Sequence, residues 1–166
     1  GYVPYFRDIF KGRTKPHVFT WFVWGLLTGI AFFAQLAKGG GAGSWVTGVT
    51  AFFCFLIAGL ALRYGEKHIV KLDWFSLFMA LLSIFLWRAT NTPLLAVIFV
   101  TVADVFGFVP TFRKAFYKPE EETASTFFLA ALKFLIGIIA LDSFNLTTWL
   151  YPASLVLMNG SFAAMI

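Results

Sequence analysis

The chain has 166 residues, 60% hydrophobic and only 13% charged, with 22 Phe and 6 Trp. A soluble domain of this size has no means of hiding so much apolar surface, so a membrane protein is expected. The one cysteine, Cys54, excludes a disulfide framework and a cysteine metal site, and the net charge of +5 sits in short loops between apolar runs, which is the membrane pattern and not that of a nucleic-acid binder.

Seven apolar segments are predicted in chain order: residues 1–10, 19–36, 45–64, 74–87, 93–112, 126–141 and 147–166. The first, which starts at Gly1 and soon meets a basic loop, is expected to be the end of a longer helix. Each complete run offers about 14–21 residues, or ~20–30 Å as helix, which suits a bilayer. The breaks carry helix breakers: GRTKPH, GGGAGS, RYGEKH, ATNTP and KPEEE. Pro93 suits the first turn of the fifth helix. No run alternates as a strand would. The fold class expected is an all-α membrane protein with seven transmembrane helices.

GYVPYFRDIF at residues 1–10 recurs as GFVPTFRKAF at residues 107–116, with Gly, Val, Pro, Phe, Arg and Phe in common. Each copy joins an apolar helix to a basic loop, and two more apolar segments follow each. Trp45 and Trp149 open the third helix of each copy, and Thr20 and Thr126 match near the start of the second. The chain therefore divides into a first three-helix repeat (residues 1–65), a loop and linker helix (66–92) and a second three-helix repeat (93–166). An odd linker helix makes the repeats parallel, related by an axis along the membrane normal.

Orientation follows from Lys and Arg. Ten of the 13 lie on one side: Arg7, Lys11, Arg13, Lys15, Arg63, Lys67, Lys71, Arg113, Lys114 and Lys118. Lys38 and Arg88 lie on the other side, and Lys133 lies within a helix. The basic side is expected in the cytoplasm, with the amino terminus outside and the carboxyl terminus inside. The expected location is a bacterial inner membrane. No segment reads as a signal peptide.

Three plus one plus three helices, with G-x-x-P near the cytoplasmic end of each first helix, resembles the SWEET and PQ-loop superfamily. The stretches that carry the likeness are GYVPYFRDIFKGRTKPHVFTW and GFVPTFRKAFYKPEEETAST. The family's Pro-Gln is Pro4-Tyr5 here, and Pro110-Thr111 in the second copy. The resemblance implies alternating access between the repeats, with Pro4 and Pro110 as hinges. It also implies a substrate-binding asparagine in the third helix of a copy, a place that Asn159 fits and that AFFCFL of the first copy leaves without an asparagine. On physical grounds a proline within a spanning helix removes a backbone hydrogen bond and favours a bend, and the same bend also serves packing alone.

Polar residues within the membrane are the best site candidates, because placing them there is costly. Asp104 and Lys133 are expected at similar depth, roughly 10–14 Å from the cytoplasmic face at ~1.5 Å per residue, and within reach of each other as an ion pair. Such a pair either positions two helices or makes Asp104 a carrier of a proton or cation and an anchor for a polar substrate. Asn159 lies at a similar depth and either binds a hydroxyl-rich ligand or bonds between helices. Gln35 is expected at the interface. Trp45, Trp74, Trp87 and Trp149 fit aromatic belts; Trp21 and Trp24 face lipid, a neighbour or a pocket. Gly1, Gly25, Gly29, Gly48, Gly59 and Gly107 are expected to permit close helix contact. His17 and His68 are loop residues with no catalytic partner. No cofactor, metal or enzyme activity is expected.

Two functions follow. One is a small-solute transporter, for a sugar or another small polar metabolite, working by alternating access; Asn159, Asp104 and Lys133 would bind its substrate. The other is a non-transporting accessory subunit or receptor that binds another membrane protein or a pigment complex through its Phe-rich exterior. The expected partners are the lipid bilayer, a small polar solute, and further copies or a larger membrane complex. Nucleic acid is not among them.

Overall fold

The computed structural model describes residues 2–16, 18–65, 71–117, 119 and 124–166, and within the helices it describes all side chains but those of 73, 76, 109–111 and 113–115. Seven helices and no strand occur among the described residues: α1 (Tyr2–Phe10), α2 (Val18–Ala37), α3 (Gly41–Tyr64), α4 (Lys71–Thr90), α5 (Pro93–Tyr117), α6 (Ala124–Ile139) and α7 (Leu146–Met165). The expectations for Gly1, His17, Lys67, His68, Lys118 and residues 120–122 lie outside the described residues. So do those for the side chains of Pro110, Arg113 and Lys114.

The helices end where backbone chemistry ends them. Asn145 is the N-cap of α7: its side chain accepts from Thr147 N at 3.1 Å, and its own N–H donates to Thr148 Oγ1 at 3.0 Å. This reciprocal cap satisfies two amides that the helix leaves open. Asn91 takes a left-handed φ of 52° between α4 and α5, where Asn is among the more tolerant residues. Pro93 opens α5, as its fixed φ favours.

Packing joins neighbours in sequence first: α2 with α3, α4 with α5, and α6 with α7. Long-range contacts then put α5 on α2 and α7, α3 on α6, α2 on α4 and α7, and α1 on α3 and α6. The interior mixes large apolar side chains, among them Leu27, Ile57, Tyr151 and Phe162, with many small and polar ones. Ala31, Ala34, Ala61, Ala80, Ala96 and Ala103 are buried, together with Thr28, Thr47, Thr50, Ser83, Asp104 and Asn159. The large rings of Phe33, Phe52, Phe78, Phe85 and Phe128 lie outside. So many large rings on the outside are opposite to the order of a water-soluble surface. Helices α2 and α3 are each long and apolar enough to cross a membrane; the apolar stretches Leu77–Thr90, Pro93–Phe108 and Ala124–Ile139 are shorter.

Two expectations about helix ends are corrected. GGGAGS is not a break throughout: α3 begins at Gly41, and its glycines are needed for contact. Gly41 has a φ of +59°, and a Cβ there would collide with the Asp142 carboxylate. A Cβ at Gly43 would strike the Gly137 carbonyl oxygen and approach Leu141 N to 2.8 Å. The segments 38–43 and 140–145 thus lie against each other. Gly43 N donates to Ala140 O at 2.9 Å, Asp142 N to Gly40 O at 3.3 Å, and Asn145 Nδ2 to Lys38 O at 3.4 Å. The second correction concerns Arg113 and Lys114, which belong to the last turns of α5 and not to a loop.

Among the glycines expected to admit neighbours, Gly25 receives the Phe55 ring and Gly48 the Phe32 ring, each leaving a Cβ under 3.0 Å from the ring. Gly29 is less tight, with Ala51 Cβ at 4.0 Å. Gly59 is corrected: nothing lies within 4 Å of a Cβ there. Trp21 and Trp24 both face neighbours. Trp21 donates to Tyr5 Oη of α1 at 3.2 Å, and Trp24 meets Phe108 of α5 with ring centres 5.6 Å apart.

Candidate functional site: a central polar cluster

Lys133 sits on α6, partly buried among apolar neighbours. Its Nζ donates to Tyr2 Oη of α1 and to Thr50 Oγ1 of α3, both at 2.9 Å. The same ammonium lies 4.7 Å from the ring centres of Tyr2 and Phe134. Two hydroxyl acceptors and two π faces therefore replace water around the charge. Each acceptor is itself held. Thr50 Oγ1 donates to Val46 O at 2.6 Å, which aims its lone pairs at the lysine, and the Tyr2 ring stacks on Phe53 at 4.5 Å.

Asp104 lies halfway along α5 and is only 2% exposed. Its Oδ2 has no hydrogen-bond partner. Tyr151 of α7 is fully buried and its hydroxyl also lacks a partner. Cys54, buried one turn along α3 from Thr50, is a free thiol. Five helices thus carry buried or half-buried polar side chains: α1 with Tyr2, α3 with Thr50 and Cys54, α5 with Asp104, α6 with Lys133 and α7 with Tyr151, of which Lys133, Tyr2 and Thr50 touch.

The expected ion pair is corrected. Among the described residues the only salt bridge joins Arg7 and Asp8, so Asp104 and Lys133 do not meet. Similar depth fixes height along a helix but not the direction a side chain takes around it. Lys133 turns toward α1 and α3, whose hydroxyls it bonds. Asn159 is buried two turns beyond Tyr151 on α7, and its Nδ2 donates to Leu155 O of its own helix at 2.8 Å. It joins neither charge. Pro4 lies in the first turn of α1 as described, where its missing N–H interrupts no bond among the described residues. The backbone of α5 is helical through Pro110.

Gln35 is corrected as well. It is 1% exposed and donates from Nε2 to Thr148 O at 2.7 Å. The reason lies in Pro152, an unanticipated proline buried within α7. Pro152 has no N–H, so the Thr148 carbonyl four residues earlier loses its helical donor. Gln35 of α2 supplies that donor. The sequence signal was available: a proline in an apolar run frees a carbonyl, and a buried amide elsewhere is its natural partner. Tyr2, Thr50 and Tyr151 were missed because Tyr and Thr are ordinary in apolar helices.

Compared with known proteins, the chain matches no family model, no curated protein and no solved structure.

Proposed function

We propose that the chain is a seven-span membrane transporter for a small polar solute, built from two parallel three-helix repeats around the central cluster. The observation that carries the repeat is the packing. Exchange α1 with α5, α2 with α6 and α3 with α7, and the contacts pair up. The contact of α1 with α3 corresponds to that of α5 with α7, and that of α2 with α3 to that of α6 with α7. Likewise α2 on α5 corresponds to α6 on α1, and α2 on α7 to α6 on α3. Only the contacts of α4 are left over, as a linker requires. This supports the SWEET-like and PQ-loop-like arrangement. The apolar exterior supports a lipid surround.

A transporter site belongs between the repeats, and the cluster draws on both: Tyr2, Thr50 and Cys54 from one, Asp104, Lys133 and Tyr151 from the other. Pro4 and Pro110 are the proposed hinges, with the basic loops in the cytoplasm of a bacterial inner membrane. Asn159 is a further proposed substrate contact. No chemistry is proposed on the solute.

Counterflow of labelled solutes into liposomes containing the purified chain tests this reading. Exchange of one class of solute above empty liposomes is the expected result. Stable copurification with another membrane protein at fixed stoichiometry, with no exchange of any solute, would replace it by the accessory-subunit reading. External thiol labelling adds a check on topology. A cysteine at exposed Lys38 should react from outside intact cells, and one at exposed Arg13 should not.

A further inference from the structure

The two repeats meet along two equivalent seams, α6 against α1 and α3, and α2 against α5 and α7. The matched segments 1–10 and 107–116, the pair Thr20 and Thr126, and the pair Trp45 and Trp149 set the register between the copies. In that register Tyr2 corresponds to Phe108, Thr50 to Ser154 and Lys133 to Leu27. Thr50 and Ser154 act alike: each returns its hydroxyl to a carbonyl of its own helix, Val46 O at 2.6 Å and Tyr151 O at 2.7 Å. The other two positions differ in kind. Leu27 and Phe108 belong to the apolar core, 0% and 3% exposed, and Trp24, one turn before Leu27, packs on Phe108. On the other seam Lys133 Nζ donates to Tyr2 Oη and Thr50 Oγ1, both at 2.9 Å. The same crossing is thus packed once with leucine and phenylalanine, so the helices do not need a lysine to hold together. An ammonium also costs far more to place there than a leucine. The two hydroxyls accept from it but bring no negative charge, and among the described residues no carboxylate pairs with it. One of its three N–H donors has no oxygen acceptor among the described residues, and Tyr2 keeps a proton of its own to donate. The piece that completes this seam is an anion.

We propose that Lys133, Tyr2 and Thr50 form the binding site of a small monocarboxylate. This rests on the two-repeat transporter reading and narrows its solute to that class. The carboxylate accepts from Lys133 Nζ and from the Tyr2 hydroxyl, and its charge offsets that of the ammonium. The surroundings select an organic anion over a halide. The Tyr2 ring stacks on Phe53 at 4.5 Å, Phe6 lies on that same Phe53 ring at 6.0 Å, and the Phe134 ring centre is 4.7 Å from the ammonium. Such rings suit a short hydrocarbon tail. The site also draws on both repeats, with Tyr2 and Thr50 from one and Lys133 from the other. A shift of the repeats past each other parts the lysine from both hydroxyls, and the anion loses its seat with them.

The test uses the full chain in detergent and in liposomes, with propionate as the probe. Propionamide, which has the same shape and no charge, chloride and glucose are the controls. Thermal shift reads binding and counterflow reads exchange. Propionate should bind at least about tenfold tighter than propionamide or chloride. Lys133→Gln should reduce it to the level of propionamide, and Tyr2→Phe and Thr50→Val should each weaken it by a smaller factor. The wild-type comparison of propionate with propionamide stands even if a variant does not fold. Equal binding of those two, or undiminished binding of propionate by folded Lys133→Gln, would overturn the inference. Chloride binding as tightly as propionate would overturn it too, because the rings would then select nothing. Exchange of glucose with no propionate bound would overturn this inference and keep the transporter. Propionate bound through Lys133, with no exchange of any solute, would keep the site and overturn the transporter.

Discussion

The loop end of the molecule joins its two halves largely through backbone groups, and its middle through side chains. Where residues 38–43 meet 140–145, backbone donors from one segment find carbonyls of the other, and Gln35 fills the carbonyl that Pro152 frees. Tyr151, less than a turn beyond Thr148, and Asp104 on α5 are buried with Oη and Oδ2 unpartnered, as are Gln35 Oε1 and Ser44 Oγ at the loop end. Both regions join the two halves of the chain. One closes with backbone bonds that depend on shape, and the other stays open in side chains that carry charge.

The comparison breaks most directly at Gly43. Gly43→Val puts a branched side chain against the Gly137 carbonyl and Leu141 N, which are backbone and cannot swing away. Loss of about 3 kcal/mol or more is expected, read as a large fall in thermal midpoint or as failure to fold. Gln35→Ala should cost about 1–3 kcal/mol, because it bares the buried Thr148 carbonyl. Pro152→Ala restores an N–H to α7, so the Gln35→Ala/Pro152→Ala pair should lose clearly less than Gln35→Ala alone relative to their own backgrounds. An additive pair would show that Gln35 does not stand in for the missing donor.

The middle should behave in the opposite sense. Without ligand, Asp104→Asn removes a buried charge that has no counterion, so stability should hold or rise by about 1 kcal/mol. Asp104→Asn and Lys133→Gln should also add independently to within ~0.5 kcal/mol, as groups that do not touch do. Strong coupling between them would restore the ion pair. The smallest effect belongs to Gly59→Ala. Nothing lies within 4 Å of the new methyl, so the change should stay under ~1 kcal/mol and favour the folded state through helix propensity.

Much of this was legible from residue order. Apolar runs bounded by Pro, Gly and charge located every helix, because the length of a run and its breakers act locally. Asp104, Lys133 and Asn159 stood out because polar atoms are conspicuous among apolar ones. What the one-dimensional pattern did not carry was direction around a helix axis. Asp104 and Lys133 were assigned equal depth and hence contact, yet Tyr2 and Thr50, 131 and 83 residues from the lysine, hold it elsewhere. GGGAGS suggested slack for the same reason. A glycine that is loose in sequence is tight when another backbone lies on it, and Gly137 is far from Gly43 until the fold forms. Gln35 was placed at the interface because Pro152 was not connected with it.

That connection sets an order of assembly. Gln35 leaves the ribosome 113 residues before the carbonyl it serves. Until α7 arrives, its amide waits in an apolar helix without a mate. A carboxyl-terminal half made alone carries the converse defect, a Thr148 carbonyl that its own helix has no N–H to cover. Each half thus lacks a bond that only the other supplies, as it also lacks those of Gly43 to Ala140 and of Lys133 to Thr50. The helix that finishes the chain is finished by a residue near its beginning.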